Sequence, residues 1–262
     1  MLVHRLRGKD MVAEDFIREA ESATRDVDIR NTAVYVTSKF NRFVSDMAMR
    51  NLICQNRSID LKEVVNERKI LLVNLGRGRF GEHSARLLAS MMVSRLRHAV
   101  MGRGFPNPPF FLYADECQLF ADGRLAELLA EARKFGLAIT LAHQYMDQLP
   151  QQVLGAILGN VATTVAFRVS SSDAHRIAEL FAPELSPRDF VRMPNFHAAI
   201  RSGGSLGLDP FMVNTLSPSA PINPKRGALI REISRLRFGR DCREVEREIR
   251  ATYDHYMQFK TT

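Results

Sequence analysis

The chain has 262 residues, 45% of them apolar and 25% charged, with a formal net charge of +8. Those proportions are ordinary for a soluble globular protein with one large α/β core, or a domain plus an appendage. The positive balance favours an anionic partner, nucleic acid first and a membrane surface second. Three scattered cysteines without a C-x-x-C suggest neither a disulfide framework nor a zinc site, and no apolar run approaches membrane-spanning length. Met1–Asp10 is basic with no apolar stretch behind it. It therefore does not read as a signal peptide, and a cytoplasmic location is expected.

Residues 1–68 read as a helical segment. Phe40, Val44 and Met47 share one helical face, and Asp60 followed by Glu63 is a capping-box pattern opening a short helix. Ile70–Leu75 is an apolar run that predicts a buried strand. Gly76, Gly78 and Gly81 then form a G-x-G-x-x-G between that strand and a helix starting near His83, with Leu88, Met92, Leu96 and Ala99 on one face. This is the context of a dinucleotide-binding fingerprint. Against it, Asp115 lies well beyond the roughly 20 residues at which the ribose-binding acid is expected. The interleaved arginines also suit a phosphate or DNA backbone better than a close-packed pyrophosphate loop.

A Gly- and Pro-rich loop over 102–109 leads to Phe110–Ala114, an apolar run ending in Asp115–Glu116. It reads as a buried parallel strand delivering two carboxylates at its carboxyl end, where open α/β sheets bind ligands. In a nucleotide-hydrolysing site such an Asp holds Mg²⁺ and the adjacent Glu polarises the attacking water. Leu125, Leu128, Leu129 and Ala132 predict a helix capped by Gly136, and Leu137–Ala142 a second buried strand ending in His143–Gln144. Considered alone, Arg133 is a helix-end cation and Gln144 a cap for the next helix. A short helix around Val153–Leu158, a third buried strand within 161–169 and a helix from Asp173 to Phe181 come next. Ser186–Pro187–Arg188–Asp189 opens another helix, with Pro at its first position. His197–Arg201 is expected to be an edge strand. Residues 203–224 read as a linker, and the arginine-rich stretch from Arg231 leads into a charged helix ending near Met257. Its interleaved glutamates favour a solvated surface helix over a nucleic-acid arm.

Taken together, Asp115–Glu116, then Glu131–Ala132–Arg133–Lys134–Phe135–Gly136, then Leu141–Ala142–His143–Gln144 resemble the motor domain of the HerA/FtsK superfamily of DNA-pumping ATPases. Conjugative coupling proteins of type IV secretion and HerA-like proteins are the nearest in pattern, over about 38–201. The resemblance implies a RecA-like P-loop NTPase fold, a mostly parallel sheet flanked by helices. It also implies ATP and Mg²⁺ as cofactors, with Asp115 as the metal-binding acid of Walker B and Glu116 activating water. Gln144 would be a γ-phosphate sensor, and Arg133 an arginine finger serving the neighbouring subunit. The implied partners are DNA without sequence preference, further copies of the chain in a hexamer, and secretion or conjugation machinery at the membrane. Arg168, in the closing section of the pattern, is expected to be structural or to face another subunit.

The sequence departs from that family in one respect. No G-x-x-x-x-G-K-[ST] occurs, and no Gly–Lys–Ser/Thr triplet exists anywhere. A P-loop needs that Lys for the β/γ-phosphates and the hydroxyl for Mg²⁺. In the family it lies upstream of everything present here, so the chain is expected to be the C-terminal part of a motor and inactive alone. The expected division is a helical segment 1–68, the C-terminal part of the ATPase core 69–202, and a linker with a charged helix 203–262. Losing the P-loop strand is expected to expose backbone pairing groups at the sheet edge. The alternatives are a non-catalytic nucleic-acid-binding or assembly module of the same fold, and a dinucleotide enzyme using Gly76, Gly78 and Gly81.

Overall fold

A computed structural model describes residues 45–103, 108–203, 208–219 and 221–260. The expected helical face at Phe40 and Val44 lies outside the described residues. The chain divides into two compact units, one made of residues 1–60, 75–85 and 223–262 and the other of 61–74 and 86–222.

In the first unit, α1 (Met47–Ile53) is capped by Asp46, whose carboxylate accepts the Met49 N–H at 3.0 Å. Met49 is fully buried, and α9 (Cys242–Lys260) packs against α1, burying Val245. Asn51 Nδ2 donates to Glu246 Oε1 across that contact. Between them in sequence lies α8 (Pro224–Phe238), a helix with no buried residue.

The second unit holds α2 (Leu61–Asn66), the greater part of α3 (Arg77–Met101), β1 (Phe110–Ala114), α4 (Gly123–Glu131), β2 (Leu137–Leu141) and α5 (Gln151–Asn160). They are followed by β3 (Thr163–Ala166), α6 (Ser171–Phe181), α7 (Pro187–Val191), β4 (His197–Ser202) and β5 (Phe211–Asn214). β1 and β2 pair in parallel, with Phe110 opposite Leu137 and Ala114 opposite Leu141. One face of this pair packs. Leu137, Phe110, Leu112 and Ile139 join Leu61, Val65, Val93, Leu96, Val100 and Leu128 in a cluster formed with α2, α3 and α4. Leu125 and Leu129 of α4 meet Val153 of α5 in a second cluster, so the predicted apolar face of α4 is the buried one. Gly136, at φ 68°, closes the turn after α4 as expected of a left-handed cap.

The other face of the β1–β2 pair is open. Phe111 is 57% exposed and Tyr113 74%, with Ala138 and Thr140 exposed opposite them. The expectation of strands buried on both faces is therefore corrected to strands buried on one. Helices cover a single side, and the side chains alternate accordingly.

The α/β class is as expected, but the strands form two sheets. β3, β4 and β5 make a separate antiparallel sheet with β4 in the centre, so β3 does not join β1 and β2 in one parallel sheet, and β4 is not an edge strand. β5, which gives β4 its second partner, falls inside the stretch read as a linker. This sheet packs on α6 and α7 through Ala166, Ala199, Phe181 and Phe190, the two rings meeting edge-on at 5.1 Å. α7 opens with the predicted Pro187 and a capping box in which Asp189 accepts from both the backbone N–H and the hydroxyl of Ser186.

Ile70–Leu75 is not a strand. Ile70 is 89% exposed and Leu72 79%, while Leu71 is half-buried against the α2–α3 cluster. Nor does Gly76–Gly81 form a phosphate loop. Residues 77–80 are already helical, and the helix is interrupted at Gly81, whose φ of 72° and ψ of 163° glycine adopts without steric cost.

Candidate functional site

The carboxyl ends of β1 and β2 carry the acidic pair and the glutamine on one rim. The parallel ladder continues past both strands: Ala142 N–H donates to Ala114 C=O, and Cys117 N–H donates to Ala142 C=O, each at 2.9 Å. These two bonds lock the turn after Ala114 against the turn after Leu141. To leave the ladder and enter the tight turn Cys117–Leu119, the chain passes through Glu116 in a left-handed conformation, φ 53° and ψ 44°. For a residue other than glycine that conformation costs about 1–2 kcal/mol. Strain of this kind concentrates at functional sites.

The Glu116 carboxylate is gripped from two sides. Gln144 Nε2 donates to Oε1 at 2.6 Å, and Gln118 Nε2 donates to Oε2 at 2.5 Å. Asp115 is exposed beside it, its Oδ1 accepting the Glu116 N–H at 3.0 Å. Cys117 behind them is completely buried. That burial pushes its thiol up to about 11, and the negative charges of Glu116 and Asp115 add to the shift. The side chains of Glu116 and Gln144 thus meet on the rim, with Asp115 as the immediate neighbour. Gln144 bonds Glu116 across the two strands, while Asp115 bonds only the Glu116 backbone.

Arg133 stands elsewhere. It lies in the turn Ala132–Phe135 before β2, at the opposite end of that strand from Gln144. A five-residue strand puts roughly 16 Å between those ends. Its side chain is exposed and makes no ion pair with any described residue. The nearby acids are committed to another cation, since Arg97 of α3 bonds Glu127 at 2.7 Å and Glu131 at 3.0 Å.

Two supporting residues escaped the sequence reading. Gln118 is the second donor to Glu116, and nothing in a lone glutamine two residues past an acid signals that contact. Asp173, 3% exposed, accepts the Met146 N–H at 3.3 Å and so anchors the turn that begins just after Gln144. Arg176 of the same helix holds Asp147 at 2.8 Å. In the sequence Asp173 looks like an ordinary first-turn acid of α6; its partner lies in a different element.

No protein-family profile matches the chain, and no curated protein matches it. Solved structures do. One is the bacterial conjugative coupling protein TrwBdeltaN70 in its unbound form, 16% identical with a TM-score of 0.44 over 52% of this chain. The chain spans 38% of that protein's length. Another is the genome packaging NTPase B204 from Sulfolobus turreted icosahedral virus 2 in complex with ATP-gammaS, 12% identical with a TM-score of 0.44, covering 62% of this chain and 74% of that one. The same NTPase with AMPPCP scores 0.38 at 12% identity over 63% of this chain and 75% of its own.

Proposed function

We propose that this chain is the Walker-B-bearing, C-terminal part of an ATP-dependent DNA-translocating motor of the HerA/FtsK type. The site lies within residues 69–202, the stretch we assign to the ATPase core. The observation that carries the reading is the bond from Gln144 to Glu116, which joins two motif residues from separate strands on the carboxyl rim of a parallel pair.

The donor set bears on the cofactor directly. Mg²⁺ takes one or two carboxylates together with substrate phosphates and water, which Asp115 and Glu116 suit. Among the described residues no group of three or more His, Cys, Asp or Glu could hold a metal, so the pair would not cage one unaided. The sequence also contains no Gly–Lys–Ser/Thr to cradle the phosphates. Bound Mg-ATP would supply the electrophilic phosphorus and the charge neutralisation. The chain's own part is to hold Glu116 at a fixed angle through Gln144 and Gln118, ready to accept a proton from water at a carboxylate oxygen. Arg133, exposed and without an acidic partner among the described residues, is placed to serve a neighbouring subunit in a hexamer. DNA would be bound through its phosphates without sequence preference, at the cytoplasmic side of a secretion or conjugation assembly.

The isolated chain is expected to hydrolyse ATP at background rate. Steady-state turnover by the isolated chain that disappears on Glu116→Gln would falsify the missing-cradle argument. Binding to duplex DNA should weaken steeply with salt through counterion release. Salt-insensitive or sequence-selective binding removes the translocase reading. The missing cradle also favours a second reading, a non-catalytic assembly module of the same fold. That reading is distinguished by showing no gain of turnover when a P-loop partner is supplied.

A further inference from the structure

Two helices of the second unit, α6 and α7, are held together by their apolar residues. Ala174, Ala178 and Phe181 of α6 share a buried cluster with Phe190 of α7 and with Met193 just beyond it. Beside that contact the two helices leave an open groove of about 310 Å³. Ser171 and His175 of α6 line it on one side, and Arg188 and Arg192 on the other. Ala174 and Val191 give it an apolar lining that offers no competing donor or acceptor side chain.

Helical spacing brings the cations together there. Arg188 and Arg192 stand four residues apart on one face, and the Arg192 N–H donates to the Arg188 C=O at 3.0 Å, one turn back. His175 is likewise four residues from Ser171, and its Nδ1 donates to the Ser171 C=O at 3.1 Å, which leaves Nε2 as the remaining ring nitrogen. No acid lines the groove, and neither arginine makes an ion pair with any described residue. Two acids stand close in sequence, but each is engaged elsewhere. Asp189 lies within electrostatic reach of Arg188, yet its Oδ2 accepts the N–H and the hydroxyl of Ser186. Asp173 is buried and accepts the Met146 N–H. Like charges four residues apart oppose a helix, and α7 has only five residues to absorb that repulsion.

We propose that the α6–α7 groove binds a phosphate group, with Arg188 and Arg192 forking onto its oxygens and His175, once protonated, donating from Nε2. Guanidinium donors match phosphate geometry and strengthen each bond by their charge. A carboxylate is saturated by one guanidinium; two from α7 with an imidazole from α6 suit a tetrahedral oxyanion. A bound phosphate also turns the repulsion between Arg188 and Arg192 into a shared contact. The phosphate could come from a nucleic-acid backbone or from a free phosphate ester, and the chemistry at the groove is the same. The groove shares no residue with the rim at Glu116, so the inference does not rest on the nucleotide reading.

The test titrates the full chain with inorganic phosphate and with a short DNA duplex, reading arginine Nε–H and backbone amide resonances in a ¹H–¹⁵N spectrum. Phosphate should move the Nε–H signals of Arg188 and Arg192 and the amide of His175 together and to saturation. The signal of Arg124, an exposed arginine on α4, should stay in place. Arg188→Gln with Arg192→Gln should weaken the binding, read at His175, by about tenfold or more. Both side chains are exposed, so circular dichroism and the melting temperature of that variant should match the parent. The titration of the parent chain is decisive even without the variant. DNA that moves the same signals and displaces phosphate identifies a backbone phosphate as the source; a response to phosphate alone identifies a free phosphate ester. The proposal is overturned by shifts that never saturate, by shifts that Arg124 shares equally, or by binding undiminished in the double variant.

Discussion

Two apolar runs of nearly equal length, Phe110–Ala114 and Ile70–Leu75, have different fates in this molecule. The first is a strand whose inward residues Phe110, Leu112 and Ala114 pack into the core, locked in register to β2 and extended by two further ladder bonds. The second has no ladder and leaves Ile70 and Leu72 in solvent. Local composition is the same in kind. What differs is a hydrogen-bonding partner, which is why β-propensity expresses packing context more than backbone preference.

The contrast is sharpest in stability. Leu125→Ala, beneath the β1–β2 pair where the side chain is fully buried, should cost about 2–5 kcal/mol through lost transfer energy and a cavity. Leu72→Ala should stay within about 0.5 kcal/mol. Urea denaturation of both variants tests this; similar midpoints would mean that Ile70–Leu75 packs after all. A smaller effect is expected at the cap of α4, where Asp122 accepts the N–H groups of Arg124 and Leu125. Asp122→Ala should cost about 1 kcal/mol.

Raised pH should destabilise the fold through the buried thiol behind the rim. Cys117 titrates near 11 when folded, against 9.0 in the absence of burial. The unfolded chain therefore releases this proton first, and stability should fall as pH rises from 9 toward 11. Cys117→Ser should flatten that limb of a pH–stability curve. At neutral pH a thiol alkylating reagent should modify the exposed Cys54 and Cys242 and spare Cys117 in the native chain. Smallest of all is the expected effect of Glu116→Gly. Relief of the left-handed strain offsets the added freedom of the unfolded chain, so stability should hold or rise slightly while the carboxylate is lost.

Legibility in the sequence divides along the same line. Helix faces such as Leu125–Leu128–Leu129, the Gly136 cap and the Pro187 helix start are written in local spacing and turn chemistry, and all three are found. So is the pairing of Phe110–Ala114 with the strand ending near Gln144, because the connecting helix has the length a parallel crossover needs. The antiparallel pairing of β3 with β4, and the recruitment of Phe211–Asn214 from a Gly- and Pro-rich stretch, depend on contacts between separated segments that no local pattern encodes. The same holds for Asp173, whose contact with Met146 is visible only once α6 is placed.

The proposed motor role stands on Glu116 being held by Gln144 for chemistry that another polypeptide completes. The direct measurement is Mg²⁺-dependent ATP turnover by this chain with a P-loop-bearing N-terminal segment supplied. Activity should rise well above that of either part alone and fall by about 10²–10⁴-fold on Glu116→Gln, the usual worth of a positioned general base. Gln144→Ala should give a smaller loss, since it removes one of two donors to the carboxylate. Complemented turnover that is indifferent to Glu116 would contradict the assignment of this rim as the hydrolytic site.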